Sequence, residues 1–116
     1  MKRKSGRSCS SQSLKNNMTT LSNRLKEARQ RAGLSQEQLG LQIGLEPESA
    51  STRMNRYELG KRAPAFELME RIAAVLGVPA AYFYAVEDDE AELLLRFHKL
   101  SSKRKKQVLE VAGGES

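Results

Sequence analysis

Ser51, Thr52, Asn55 and Arg56 are the residues of this chain whose types and spacing best suit a chemical task. They are interleaved with Met54 and Tyr57, which stand three apart and belong on the buried side of a helix. A helix placed that way turns hydroxyls, a carboxamide and a guanidinium outward. Ordinary solvated faces are built from Glu and Lys. Short donors and acceptors beside arginine instead suit base edges and phosphates in a DNA major groove. Other chemistries have little to work with. His98 is the only histidine and Cys9 the only cysteine, so no nucleophile–base pair and no zinc-ligand set can be assembled. No glycine-rich phosphate loop is visible. The acidic run Glu87–Glu90 reads as the start of a helix, where the dipole favours acids, rather than as a metal site. The expectation is a chain that is not an enzyme, with no metal, no cofactor and no evident small-molecule ligand.

Elements that position this face can be read on either side of it. Ser35 with Gln38 three residues on is a capping-box pattern, opening a short helix that carries Leu39 and Ile43 on one face and breaks at Gly44. The next helix is expected to begin near Pro47, a residue suited to a first turn, and to run to Glu58 before Gly60 stops it. Two short helices joined through a glycine-containing turn suggest a helix-turn-helix. Upstream, a helix over Thr20 to Ala32 places Leu21, Leu25, Ala28 and Ala32 on one face, with Arg24, Glu27 and Arg31 pointing elsewhere. Downstream, Phe66 to Leu76 has a wide apolar stripe of Leu68, Met69, Ile72, Val75 and Leu76, closed by Gly77. A short helix from Ala80 to Ala85 contributes Tyr82 and Phe83 to the core. Ala91 to about His98 forms another helix. A last one starts at Leu100–Ser101 and ends at Gly113–Gly114.

The chain has 116 residues, which points to one compact domain with tails. Without Trp and with few aromatics, its core must be aliphatic and helical. Of the 20 Lys and Arg, five (Lys2, Arg3, Lys4, Arg7 and Lys15) lie in residues 1–17 with no acid among them. The rest of the chain holds 15 bases against 14 acids, so a nucleic-acid partner has to be argued from placement and not from bulk charge. Residues 1–17 are expected to be a disordered basic tail: a solvated segment, an extension ahead of a true start at Met18, or an arm for phosphates. No apolar run approaches the ~20 residues that span a bilayer, and no apolar stretch follows the basic start to make a secretory signal. Cytoplasmic residence is expected.

Three motifs in order carry a family resemblance: Leu34-Ser-Gln-Glu-Gln-Leu-Gly40, then Tyr57-Glu-Leu-Gly-Lys-Arg-Ala-Pro64, then Leu76-Gly-Val-Pro79. Together they resemble the phage-repressor (Cro/repressor, or XRE) type of helix-turn-helix domain over about residues 20–85. The resemblance implies an all-α fold, a five-helix DNA-binding bundle, with a C-terminal helical extension beyond it. It also implies roles where positions match. Gln36 would contact a DNA phosphate beside the recognition helix. Ser51, Thr52 and Arg56 would face bases, with Arg53 and Asn55 on phosphates or flanking bases. Lys61 and Arg62 would rest on the backbone, and Arg29 with Glu58 would form a structural salt bridge.

Two departures from the family pattern stand out. About ten residues usually separate the turn glycine from the glutamate that is Glu58; here Gly44 and Glu58 are 14 apart. Leu45-Glu-Pro-Glu-Ser is either a longer turn or an extra turn on the recognition helix, and Glu46 and Glu48 are expected to lie off the DNA backbone. Gly40 stands where relatives usually have alanine.

The organisation expected is a tail over 1–17, a DNA-binding domain over 18–86, a C-terminal helical extension over 87–112 and a disordered end over 113–116. The function expected is a sequence-specific regulator of transcription, a repressor that binds a palindromic operator on double-stranded DNA as a homodimer, in the bacterial or phage-bearing cytoplasm on the nucleoid. Leu93, Leu94, Leu95 and Phe97 exceed what one face of a short helix needs, so they either dimerise or fold back on the bundle. The alternative is a protein-interaction module, an antitoxin or adaptor acting through the C-terminal helices.

Overall fold

The computed structural model describes residues 19–114. The expectations of a tail over 1–17 and a start at Met18 lie outside the described residues, as does the 115–116 part of the disordered end expected over 113–116. Within them the chain is all-α. Six α-helices follow in order: α1 (Thr20–Arg31), α2 (Gln36–Gln42), α3 (Ala50–Glu58), α4 (Phe66–Leu76), α5 (Asp88–His98) and α6 (Ser102–Gly113). A 3₁₀ turn, η1 (Ala80–Tyr84), stands between α4 and α5 where a fifth short helix was expected.

Local chemistry sets several boundaries. Thr19 caps α1: its Oγ1 accepts from the Ser22 backbone N at 3.1 Å, and Ser22 Oγ accepts from the Thr19 N at 2.8 Å. α2 closes through Gly44 at φ 95°. Gly44 N donates to Leu41 O, and Leu45 N to Gly40 O at 2.9 Å, so the last carbonyls of the helix are satisfied by the turn that ends it. α4 has the bounds its apolar stripe predicts, and Gly77 ends it in the left-handed conformation at φ 72°.

The core is aliphatic with a few aromatics. Leu25, Leu39, Met54, Met69, Ile72 and Phe83 are completely buried. Tyr82 and Phe83 meet edge to face, with ring centroids 5.5 Å apart. α1 packs on η1 and α3, α2 lies along α3, and α5 reaches the bundle through η1.

The structure corrects four readings. Ala32 is not a core residue: it is the exposed C-cap of α1, and the buried face takes Ser22 with Leu25 and Ala28. Ser22 can be buried because the capping hydrogen bonds satisfy its hydroxyl, which donates to Thr19 O at 2.9 Å. Pro47 does not start a helix. Residues 47–49 form a turn closed by Ser49 N to Glu46 O at 3.0 Å, and α3 begins at Ala50. α5 starts at Asp88, three residues before the expected Ala91, with Asp88, Asp89 and Glu90 in its first turn. The last helix ends at Gly113 with Gly114 as its C-cap, where a Gly113–Gly114 stop was expected, so residues 113 and 114 of the end expected to be disordered belong to the helix and its cap.

Candidate nucleic-acid interface

The α2 start is set by the capping box read from the sequence. Ser35 Oγ accepts from Gln38 N at 3.0 Å, and Gln38 Oε1 accepts from Ser35 N at 2.8 Å. Gln36 therefore occupies the first helical position. Its Nε2 donates across the gap between helices, to Asn55 Oδ1 at 3.2 Å and to Glu58 Oε1 at 3.1 Å. One carboxamide thus ties the start of α2 to the C-terminal half of α3.

Glu58 is the anchor of this arrangement. It is 2% exposed. Arg29 holds it with two parallel bonds, Nε to Oε2 at 2.5 Å and Nη2 to Oε1 at 3.1 Å. The remaining Arg29 nitrogen donates to Leu34 O at 2.7 Å. A carboxylate removed from water needs such partners, and a forked guanidinium supplies them in the fixed geometry a carboxylate accepts. The result fastens α1, the α1–α2 loop, α2 and α3 at one point.

α2 and α3 touch at their other ends through Gly40 and Ala50. A Cβ on Gly40 would stand 2.8 Å from Ala50 Cβ and 3.0 Å from Ala50 O. A side chain at position 40 would therefore press on the first residue of α3, the Ala50 methyl first, and something would have to shift. Arg71, on α4, secures the turn by donating from Nη1 to Ile43 O at 2.7 Å. The sequence reading missed this contact; nothing local marks an arginine on one helix as the cap of another.

The outward side of α3 carries the residues singled out by type. Met54 and Tyr57 are buried, while Ser51, Thr52, Asn55 and Arg56 are exposed. Arg53 is also exposed but lies along its own helix. Its Nη2 donates to Tyr57 Oη at 2.7 Å, and its guanidinium sits 5.9 Å from the Tyr57 ring centroid. Lys61 and Arg62 follow in the exposed turn after Gly60. Glu58, the sole acid on α3, is buried and paired, so four cations and several neutral donors face solvent with no carboxylate on the helix beside them. Glu46 and Glu48 are exposed in the preceding turn.

Arg24 departs from its expected outward placement. Its Nε donates to Ala85 O at 3.0 Å and its Nη2 to Val86 O and Asp88 Oδ1. It therefore clamps the junction between η1 and α5 to α1. Nearby, Tyr82 Oη donates to Glu27 Oε1 at 3.1 Å. Burial, then the Glu27 charge, pushes the Tyr82 hydroxyl above its ordinary value of 10.0, which keeps it a donor. No group of histidine, cysteine and carboxylate side chains suited to a metal ion occurs among the described residues.

Comparison with known proteins bears on the fold and the family. A family model described as Helix-turn-helix matches residues 25–83. A crystal structure of transcriptional regulator BswR is 45% identical, superposes with a TM-score of 0.74, and is matched over 78% of this chain and 90% of that one. No curated protein matches.

Proposed function

The chain belongs to the helix-turn-helix family, and from that premise we propose that it is a sequence-specific repressor that binds a palindromic operator as a homodimer, with α3 in the major groove. At the coarser level it is a DNA-binding transcription regulator of the XRE type and not an enzyme. The observation that supports α3 as the helix in the groove is its acid-free outward side. Ser51, Thr52 and Arg56 are its base-reading residues, with Arg53 and Asn55 flanking them. Lys61 and Arg62 take the phosphate backbone. Gln36 sits where it can serve a phosphate while holding Asn55, which fixes the pitch of α3 against the positioning helix. Arg29 and Glu58 are structural. Glu46 and Glu48 lie off the DNA backbone in this arrangement, since phosphates would repel them.

The DNA-binding domain is assigned to residues 18–86 and dimer contacts to the extension over 87–112. No helix among the described residues is long and apolar enough to cross a membrane, and a chain that works on operators would do so in the cytoplasm on the nucleoid. Selection of bound sites from random DNA at a stated salt concentration tests the reading. A palindromic consensus with half-sites about 34 Å apart, or a multiple of it, is expected. Absence of any enrichment would overturn it in favour of a protein-interaction module.

A further inference from the structure

Charge is unevenly placed in the folded part of the chain. Residues 93–109 hold six Lys and Arg (Arg96, Lys99, Lys103, Arg104, Lys105 and Lys106) and no acid. From residue 18 onward, that leaves nine bases against 14 acids elsewhere.

The helix dipole does not account for this placement. α5 follows the dipole, with Asp88, Asp89 and Glu90 in its first turn and Arg96 in its last. α6 runs against it. Its first turn has no acid and its last turn no base. Lys103 to Lys106 stand at the start, and Glu110, the sole acid of the helix, stands near the end. Ion pairing does not account for it either. Arg96 is bound by Glu92, and Lys105 lies over the Phe97 ring at 5.5 Å. Lys99, Lys103, Arg104 and Lys106 are exposed and enter no salt bridge among the described residues. These four cations repel one another, and three of them oppose the helix that carries them. A polyanion would relieve both costs.

Resting on the DNA-binding assignment above and not on the repressor or dimer readings, we propose that Lys99, Lys103, Arg104 and Lys106 form a second nucleic-acid contact, which takes phosphates of duplex DNA without reading sequence. A chain held on a duplex by α3 presents this cluster to the same polyanion at high effective concentration. The two contacts differ in kind. The α3 side mixes Arg56 with Ser51, Thr52 and Asn55, whose donors and acceptors can distinguish base edges. The cluster at the start of α6 offers charge. Its neighbouring Ser101 hydroxyl is occupied in capping, accepting from Arg104 N at 3.2 Å.

Fluorescence anisotropy of the full chain on a duplex lacking the selected site, from about 50 to about 200 mM salt, tests this. Lys103→Gln/Arg104→Gln/Lys106→Gln should lower the slope of log affinity against log salt by about 2–3, since each phosphate contact contributes about 0.9. Over that range the wild type should lose about 40-fold more affinity than the variant. Lys103→Arg/Lys106→Arg should keep the wild-type slope, and all three proteins should select the same consensus from random DNA. Circular dichroism and sedimentation of the Gln variant should match the wild type, because none of the three side chains is buried. An unchanged slope in the Gln variant would overturn the second contact while leaving the α3 reading intact. So would a slope that falls only together with a change in sedimentation. A changed consensus would overturn it by placing these residues among the base readers. A loss confined to single-stranded RNA, with duplex binding unaffected, would overturn it in favour of an RNA contact. A lowered slope in a chain that selects no consensus would sustain the second contact and sink the α3 reading.

Discussion

The α2–α3 unit and the α5–α6 extension are built on opposite terms. Between α2 and α3 polar groups are buried and every one of the central partners is engaged: Glu58 by Arg29 and Gln36, and Ile43 O by Arg71. Backbones approach closely enough at Gly40 and Ala50 to exclude a methyl group. In the extension the polar groups are in water and it is Leu93, Leu109 and Val111 that are exposed. The first unit is complete within one chain and its geometry is over-determined. The second leaves those apolar side chains in water within one chain. A reading head gains from rigidity, because a base contact misplaced by a fraction of an ångström loses its hydrogen bond.

Substitutions should separate the two regions by size of effect. Glu58→Ala leaves the Arg29 guanidinium buried without its carboxylate, and folding stability should fall by about 3–5 kcal/mol in urea titrations. A loss under about 1 kcal/mol would mean that water reaches Arg29 and that the anchor is not an anchor. Gly40→Ala forces a Cβ against the α3 backbone and should cost about 1–3 kcal/mol by the same measurement. Unchanged stability would show that α3 can slide to make room. Arg56→Ala should weaken binding to the selected site by about 1–3 kcal/mol and relax base preference at one position, with the fold intact. Equal weakening on every sequence would reassign Arg56 to a phosphate. Leu93→Ser with Val111→Ser should change folding stability by no more than about 0.5 kcal/mol, in contrast to every change between α2 and α3. A larger loss would mean these side chains already serve the single-chain fold.

What could be read in the sequence was what neighbours in sequence decide. The Ser35–Gln38 capping box, the bounds of α4 and the division of α3 into a Met54–Tyr57 side and a Ser51–Arg56 side all follow from spacing alone. The family resemblance then pointed to the Arg29–Glu58 pair, which spacing could not have found. The start of α3 was misread because a proline suits a first helical turn and an ordinary turn equally. Choosing between them takes the hydrogen bond from Ser49 back to Glu46. Arg24 and Arg71 were missed for a related reason. A long cation on an amphipathic helix looks solvent-bound until the carbonyls of another element arrive beside it.

The Gly40–Ala50 contact also limits which residues positions 40 and 50 can hold together. The contact ties the first residue of α3 to position 40, since the Cβ of an alanine there would stand 2.8 Å from the Ala50 Cβ and 3.0 Å from its carbonyl oxygen. A methyl added at position 40 is therefore tolerated only together with a change at position 50 or a shift of the α3 start.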